Sequence, residues 1–268
     1  MNAADLGVTV ITGAAGGMGL PAAHRMAAPG RRLILSDLRQ DRLDAAAQAL
    51  ADSGATIELL AGDVSAPDYP ARLLDMLGTD PLGALIHTAG LSPTMADAAK
   101  ILEVNLFATR RLVEAVRPRL VAGSSIVLIS SCSAYMVPRG SFDGLLQGWL
   151  EGGDPQGLLN VAASPEVAYP LSKCGVIALV AHEAAACGQA GARISSIAPG
   201  FIDTEMGRQE EQSSAQMRAM IGRVPLGRLG HGDEIASVAE FLCSPMASYV
   251  TGCDIKADGG ILAALGMQ

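Results

Sequence analysis

Tyr169 and Lys173 stand four residues apart in the run Ala168-Tyr169-Pro170-Leu171-Ser172-Lys173. On a helix, positions i and i+4 share one face, so a phenol and an ammonium at this spacing can point into one cleft. A cation beside a phenol favours the phenolate and lowers a pKa that is about 10 in water. Such an oxygen can exchange a proton with an alcohol near neutral pH. Upstream, Ser130-Ser131 follows an apolar stretch, and the chain opens with Thr12-Gly13-Ala14-Ala15-Gly16-Gly17-Met18-Gly19. Together these residues point to dinucleotide-dependent chemistry on an alcohol or ketone.

For groups so far apart in the chain to meet, strand ends must gather at one edge. Val8 to Thr12 is a β-rich run that enters the glycine turn, and Leu20 to Ala28 suits a helix. Strands are then expected at Arg32 to Ser36, Ile57 to Ala61, Leu85 to Thr88, Ser125 to Ser130, Arg193 to Ala198 and Gly252 to Ala257. Helices are expected at Asp41 to Ser53, Lys100 to Leu120, Tyr169 to Cys187 and Asp233 to Ser244. Strands separated by helices need crossovers, and crossovers produce a parallel, doubly wound α/β sheet whose ligands bind at the carboxyl ends of the strands. The glycine turn, Asp37 and the Ser130-Ser131 pair fall at such ends.

A glycine cluster alone often makes only a turn. Between a strand and a helix, however, Gly13, Gly17 and Gly19 would let the backbone approach a pyrophosphate at a helix N-terminus that offers free N–H donors. Asp37 closes the second strand, where a carboxylate can accept from both hydroxyls of an adenosine ribose and repel a 2'-phosphate. Gly16 carries no charge to reward that phosphate, so NAD is expected in preference to NADP. Arg39 is the counter-argument, unless it pairs with Asp37 or Asp41.

The 268 residues are read as a single domain, 1–268, with half of them hydrophobic and 31 glycines for tight strand-to-helix turns. A net charge of −8 without a basic block argues against nucleic acid or an anionic membrane surface as partner. The N-terminus shows no basic start followed by an apolar core and no stretch suggests a membrane span, so a soluble, cytoplasmic protein is expected. Five cysteines without a CxxC pair and four scattered histidines predict neither a disulfide framework nor a metal site.

Read in order, the motifs TGxxxGxG at Thr12 to Gly19, Asp63-Val64, Ala89-Gly90, Asn105, Ser131, YxxxK at Tyr169 and Lys173, and Pro199-Gly200 with Thr204 resemble the short-chain dehydrogenase/reductase family. The closing runs Ala247 to Gly252 and Asp258-Gly259-Gly260 agree, and the likeness spans Val8 to about Ile261. Length and a long connection before YxxxK look similar to bacterial 3α-hydroxysteroid dehydrogenase/carbonyl reductases. The resemblance implies a Rossmann-like fold, a small-molecule alcohol or ketone substrate and a homodimer or homotetramer. It also implies that Tyr169 is the general acid/base, Ser131 binds the substrate oxygen, Lys173 holds the nicotinamide ribose and tunes Tyr169, and Asn105 supports a water in a proton relay. By the same likeness Gly13, Gly17, Met18 and Gly19 form the phosphate turn and Asp37 meets the ribose. Asp63 and Val64 meet the adenine, Ala89 and Gly90 the adenosine half, and Pro199, Gly200, Ile202 and Thr204 lead to the carboxamide. His87-Thr88 is a departure, because the family usually has Asn before the Ala-Gly pair, and it puts the local adenosine contacts in question. Ser130 and Ser133 compete with Ser131 as polariser, and Tyr135, lacking a lysine four residues on, reads as a wall.

Tyr169 lies 38 residues after Ser131, leaving an insert at about 136–166. Phe142, Leu145, Leu146, Trp149 and Leu150 have the spacing of an amphipathic helix that Gly152-Gly153 would end, and Asp154-Pro155 would start a second. Such an insert could wall an apolar pocket, replace a subunit contact or pack as a flap. Glu205 to Arg223, with Met206, Met217 and Met220, reads as a lid or as ordinary helix packing, and Leu91, Met95, Met136 and Phe201 as possible walls for a steroid-like or alicyclic substrate. The same fold could also serve a non-catalytic nucleotide sensor, or an epimerase or dehydratase that retains NAD, but Ser131, Tyr169 and Lys173 are all present.

Overall fold

Leucine-, isoleucine- and valine-rich runs form the strands β1 (Val8–Thr12), β2 (Arg32–Asp37), β3 (Thr56–Ala61), β4 (Leu82–His87), β5 (Leu120–Ile129), β6 (Arg193–Pro199) and β7 (Asp254–Ala257). In this computed structural model, which describes residues 2–205, 207–208 and 215–267, the seven strands make one sheet in the order β3-β2-β1-β4-β5-β6-β7. All neighbours are parallel. Central strands β1 and β4 are buried along their whole length, as expected for a sheet covered on both faces.

One face carries α3 (Tyr69–Leu77), α4 (Ala98–Leu102), α5 (Ala108–Val116) and α8 (Pro165–Gln189), packed around Val10, Leu85, Leu112 and Leu179. The other carries α1 (Gly19–Met26), α2 (Gln40–Ala49) and a helix at Gly232–Cys243, packed around Ile11, Leu35, Ile86 and Ile235. The chain is therefore a doubly wound, Rossmann-like single domain. Two short helices, α6 (Asp143–Leu150) and α7 (Gln156–Val161), occupy the connection before α8.

Register brings the strand ends together. Thr12 pairs with Ser36 on one side and His87 on the other, His87 with Leu128, and Ile129 with Ile197. The residues just beyond these pairs, including Gly13, Asp37, Thr88, Ser130 and Ser131, consequently share one rim.

Three elements differ from the expectation. The helix α3 had no counterpart in the sequence reading, although Pro70 near its start and Leu73, Leu74 and Leu77 carry its signal. The helix expected from Tyr169 begins at Pro165, because Pro170 falls in its second turn and costs one backbone bond without ending it. At 25 residues this helix is long and apolar enough to cross a membrane, contrary to the expectation that no stretch would be, but its Leu171, Val176 and Leu179 are buried in the core. The long helix expected over 100–120 is interrupted by a π-helical turn at Glu103–Phe107.

Candidate active site

The glycine turn is shaped by contact as much as by freedom. Gly13 has φ +64°, and a Cβ there would stand 2.8 Å from both the Ala89 nitrogen and Thr88 Oγ1. A Cβ on Gly19 would lie 2.1 Å from the Gly13 carbonyl oxygen, so only glycine lets α1 start this close to β1. On Gly17 it would strike Thr204 Cγ2 at 2.5 Å, which brings the loop after β6 against the turn. Asp37 braces the turn from β2 by accepting from the Ala15 nitrogen at 3.1 Å.

A cavity of about 350 Å³ runs along this turn, bordered by Asp37, Asp63, Val64, Ala89, Gly90 and Thr204 among others. Its two arginines are both engaged: Arg39 with Asp41, and Arg42 with Glu205 at 2.9 Å. Asp63 is also committed. Burial opposes its ionisation, but hydrogen bonds from Lys100 and Ser65 prevail and pull its carboxyl down to about 2. Lys100, unremarked in the sequence, makes that pair at 2.8 Å and borders the cavity.

Beside the cavity lies a smaller pocket of about 90 Å³ whose walls include Ser131, Tyr169 and Lys173. Met18, Thr88, Gly90, Leu91 and Thr204 border both. Within the pocket Lys173 is buried, its Nζ donating to the Ile129 carbonyl at 2.9 Å and standing 5.6 Å from the centre of the Tyr169 ring. Pro199, Gly200 and Ile202 supply the opposite wall. A Cβ on Gly200 would lie 2.7 Å from the Asp258 Cα, so that wall is glycine by necessity.

Asn105 sits buried in the π-helical turn, a distortion that re-aims a side chain. Its amide clasps Leu91, accepting from the nitrogen at 2.8 Å and donating to the carbonyl at 2.9 Å. The same Nδ2 reaches Ser172 Oγ at 3.3 Å, beside Lys173. His87, the departure noted above, does not face the cavity. It points into the core, with burial and the Lys173 ammonium pushing its imidazole down to about 3. Thr88 takes the surface instead, its hydroxyl donating to the Thr12 carbonyl at 2.8 Å.

Among the serines, geometry separates what spacing could not. Ser130 turns inward, donating to Asp254 Oδ1 at 2.6 Å with the Ile197 carbonyl oxygen 2.9 Å from the same hydroxyl. Ser131 caps the 3-10 turn Cys132–Tyr135, accepting from the Ser133 nitrogen while bordering the pocket. Tyr135 donates to Asp254 Oδ2 at 2.7 Å, and burial together with that carboxylate raises its phenol far above the usual range. Asp254 thus gathers Ser130, Tyr135 and Ser196 behind Ser131.

The wall residues divide. Leu91 and Phe201 border the pocket that holds Ser131, Tyr169 and Lys173, whereas Met95 borders the glycine-turn cavity and Met136 a separate cavity of about 1030 Å³ between the insert, α8 and the C-terminal residues. Among the described residues, the insert contributes no wall to the Ser131-Tyr169-Lys173 pocket. Its Trp149 packs on α5 instead, with Arg110 4.7 Å above the ring and Phe107 at 5.4 Å. In the lid segment, Met206 and the side chain of Met217 lie outside the described residues, and Ile221 reaches the pocket.

Comparison with known proteins agrees with this fold. Residues 7–141 match the short chain dehydrogenase family and residues 158–262 the Enoyl-(Acyl carrier protein) reductase family. The chain is 32% identical over 258 residues to galactitol 2-dehydrogenase (L-tagatose-forming) of Cereibacter sphaeroides, covering 96% of this chain and 95% of that one. It is 29% identical to cis-4-hydroxycyclohexanecarboxylate dehydrogenase of Sinomonas cyclohexanicum, with 96% of each covered. A solved structure of a putative 2-deoxy-d-gluconate 3-dehydrogenase from Agrobacterium tumefaciens with bound NADP superimposes with a TM-score of 0.71 at 25% identity, covering 96% of each chain.

Proposed function

Since the chain belongs to the short-chain dehydrogenase/reductase family, whose relatives act on alcohols and ketones, we propose that it interconverts an apolar, alicyclic secondary alcohol and its ketone using NAD in preference to NADP. The observation that carries this reading is that Ser131, Tyr169 and Lys173 border one pocket that shares Met18, Thr88, Gly90, Leu91 and Thr204 with the glycine-turn cavity. Gly13, Gly17, Met18 and Gly19 fit a pyrophosphate, because side chains at these glycines would collide with backbone or with Thr204. The bound nicotinamide supplies the hydride donor or acceptor.

The chain's own residues then handle one proton and one oxygen. Tyr169 takes the hydroxyl proton in oxidation and returns it in reduction, with the buried Lys173 ammonium beside its ring favouring the phenolate. Ser131 holds the oxygen as charge develops on it. Asn105 keeps Leu91 and the Lys173 neighbourhood in register. A dinucleotide held here would meet Asp37 at its ribose, Asp63 and Val64 at the adenine, Ala89 and Gly90 along the adenosine, and Pro199, Gly200, Ile202 and Thr204 toward the carboxamide, all of which border the two cavities.

Leu91, Ile129, Phe201, Ile202 and Leu229 dominate the remaining pocket wall. Ser130 has its hydroxyl committed inward, so few donors are left for the extra hydroxyls of a polyol. An alicyclic ring fits that surface better. Screening cyclic and acyclic secondary alcohols for NADH absorbance, beside Tyr169→Phe, tests the proposal. Turnover should fall at least about a hundredfold in the variant while dinucleotide binding is retained. A fully active phenylalanine variant refutes the acid/base assignment, and absence of stoichiometric NADH release favours an internal redox cycle instead.

A further inference from the structure

The buried hydrogen bonds around His87 have only one consistent set of directions. Thr109 Oγ1 lies 2.9 Å from the Asn105 carbonyl oxygen, which can only accept, so the single hydroxyl proton of Thr109 goes there. His87 Nε2 stands 2.9 Å from the same Oγ1 and must therefore be the donor. A neutral imidazole with its hydrogen on Nε2 leaves Nδ1 as acceptor, and Thr12 Oγ1, 2.7 Å away, must donate to it. The remaining capacity of Thr12 Oγ1 accepts from the Ala89 nitrogen at 3.4 Å.

The chain runs Ala89 to Thr12 to His87 to Thr109 to Asn105, and the circuit closes because the Asn105 side chain clasps Leu91, two residues beyond Ala89. Gly90 is the link between the two clamps, and a Cβ there would lie 3.2 Å from Asn105 Oδ1 and 3.8 Å from Lys173 Nζ. The hydroxyl-to-carbonyl bond from Thr109 is of the i to i−4 kind that bends helices, and it lands on the π-helical turn.

We infer that His87, neutral and with its hydrogen on Nε2, is a positioning residue that locks Asn105 and the Ala89-Gly90-Leu91 strip against Lys173. This rests on the oxidoreductase reading for its catalytic consequence but not for its geometry. Thr12 and Thr109 are neutral, and Lys173 is the charged group whose field bears on the ring. Protonating the imidazole would add a cation near the buried Lys173 ammonium and turn Nδ1 from acceptor to donor, which reverses the Thr12 link.

Long-range nitrogen–proton correlation spectra of the histidine rings read the tautomer without any substrate, with His87→Gln identifying the signal. The expected result is one neutral histidine with hydrogen on Nε2 that does not titrate between pH 7 and 5. Thr109→Val, which keeps volume but removes both bonds, should lower kcat about tenfold with the dinucleotide KM changed less than about threefold, and Thr109→Ser should restore it. Hydrogen on Nδ1, ordinary titration, or a Thr109→Val enzyme with wild-type kcat overturns the inference. Should the wild-type protein oxidise no alcohol, the oxidoreductase reading fails and the ring spectra alone still decide the tautomer and the lock.

Discussion

Asp37 illustrates how one carboxylate serves two purposes. Through Oδ2 it braces the glycine turn, and it also borders the cavity where a 2'-phosphate would have to sit. Asp37→Asn keeps an acceptor for the Ala15 nitrogen while removing the charge, so it isolates electrostatics from packing. Two negative charges a few ångströms apart in a hydrated cleft repel by about 1–2 kcal/mol, so the ratio of NADP to NAD efficiency should rise about tenfold. Steady-state kcat/KM with each dinucleotide measures it, and an unchanged ratio would assign the discrimination elsewhere, with Arg39 and Arg42 the nearest candidates. Their pairing with Asp41 and Glu205 is the observation that places them second.

At the level of elements, the insert before α8 is a buttress. The Arg110 guanidinium donates to the Trp149 carbonyl at 2.7 Å and to that of Leu150 at 3.3 Å, satisfying carbonyls at the end of α6, and it also covers the indole face. Trp149 is 7% exposed and touches Arg110 of α5 and Phe107 of the π-helical turn rather than the Ser131-Tyr169-Lys173 pocket. Trp149→Ala should therefore cost about 3 kcal/mol of stability, seen as a lowered Tm, with kcat at 20–25 °C within about twofold of wild type. A large drop in kcat with Tm unchanged would make the insert part of the substrate site. The neighbouring network works at the same scale. Asp254 on β7 holds Ser130 just past the end of β5 and Tyr135 in the following turn, and so fixes the entry to and exit from Ser131. Asp254→Asn should lower kcat several-fold through Ser131 placement, because an amide cannot accept three hydroxyl protons as a carboxylate can. Retained kcat in that variant would show that the Cys132–Tyr135 turn holds Ser131 without help.

For the molecule as a whole, acid is the informative stress. His87 is pushed down to about 3 in the fold against about 6.5 when unfolded, so the unfolded chain binds the extra proton first. Its neutral burial is fully compatible with folding above pH 6.5, and stability is lost as pH falls from there toward 3. Asp63, lowered to about 2, adds loss in the same direction below about pH 4. The urea midpoint should therefore begin to fall just below pH 6.5, well before ordinary carboxylates titrate. His87→Phe should flatten that early slope, and an identical slope in the variant would place the titrating group elsewhere.

What the chain spelled out locally was considerable. The glycine turn, the alternation of strands and helices, the paired Tyr169 and Lys173 and the apolar spacing within the insert all depend on residues a few positions apart, where helical and extended periodicities act directly. Tertiary structure alone turned the Ser130 hydroxyl inward, because its partner Asp254 lies 124 residues away, and it alone turned His87 inward, because Thr12 is 75 residues distant. A hydrogen bond's direction depends on which lone pairs and protons the fold brings within reach, and spacing along a chain carries no record of that.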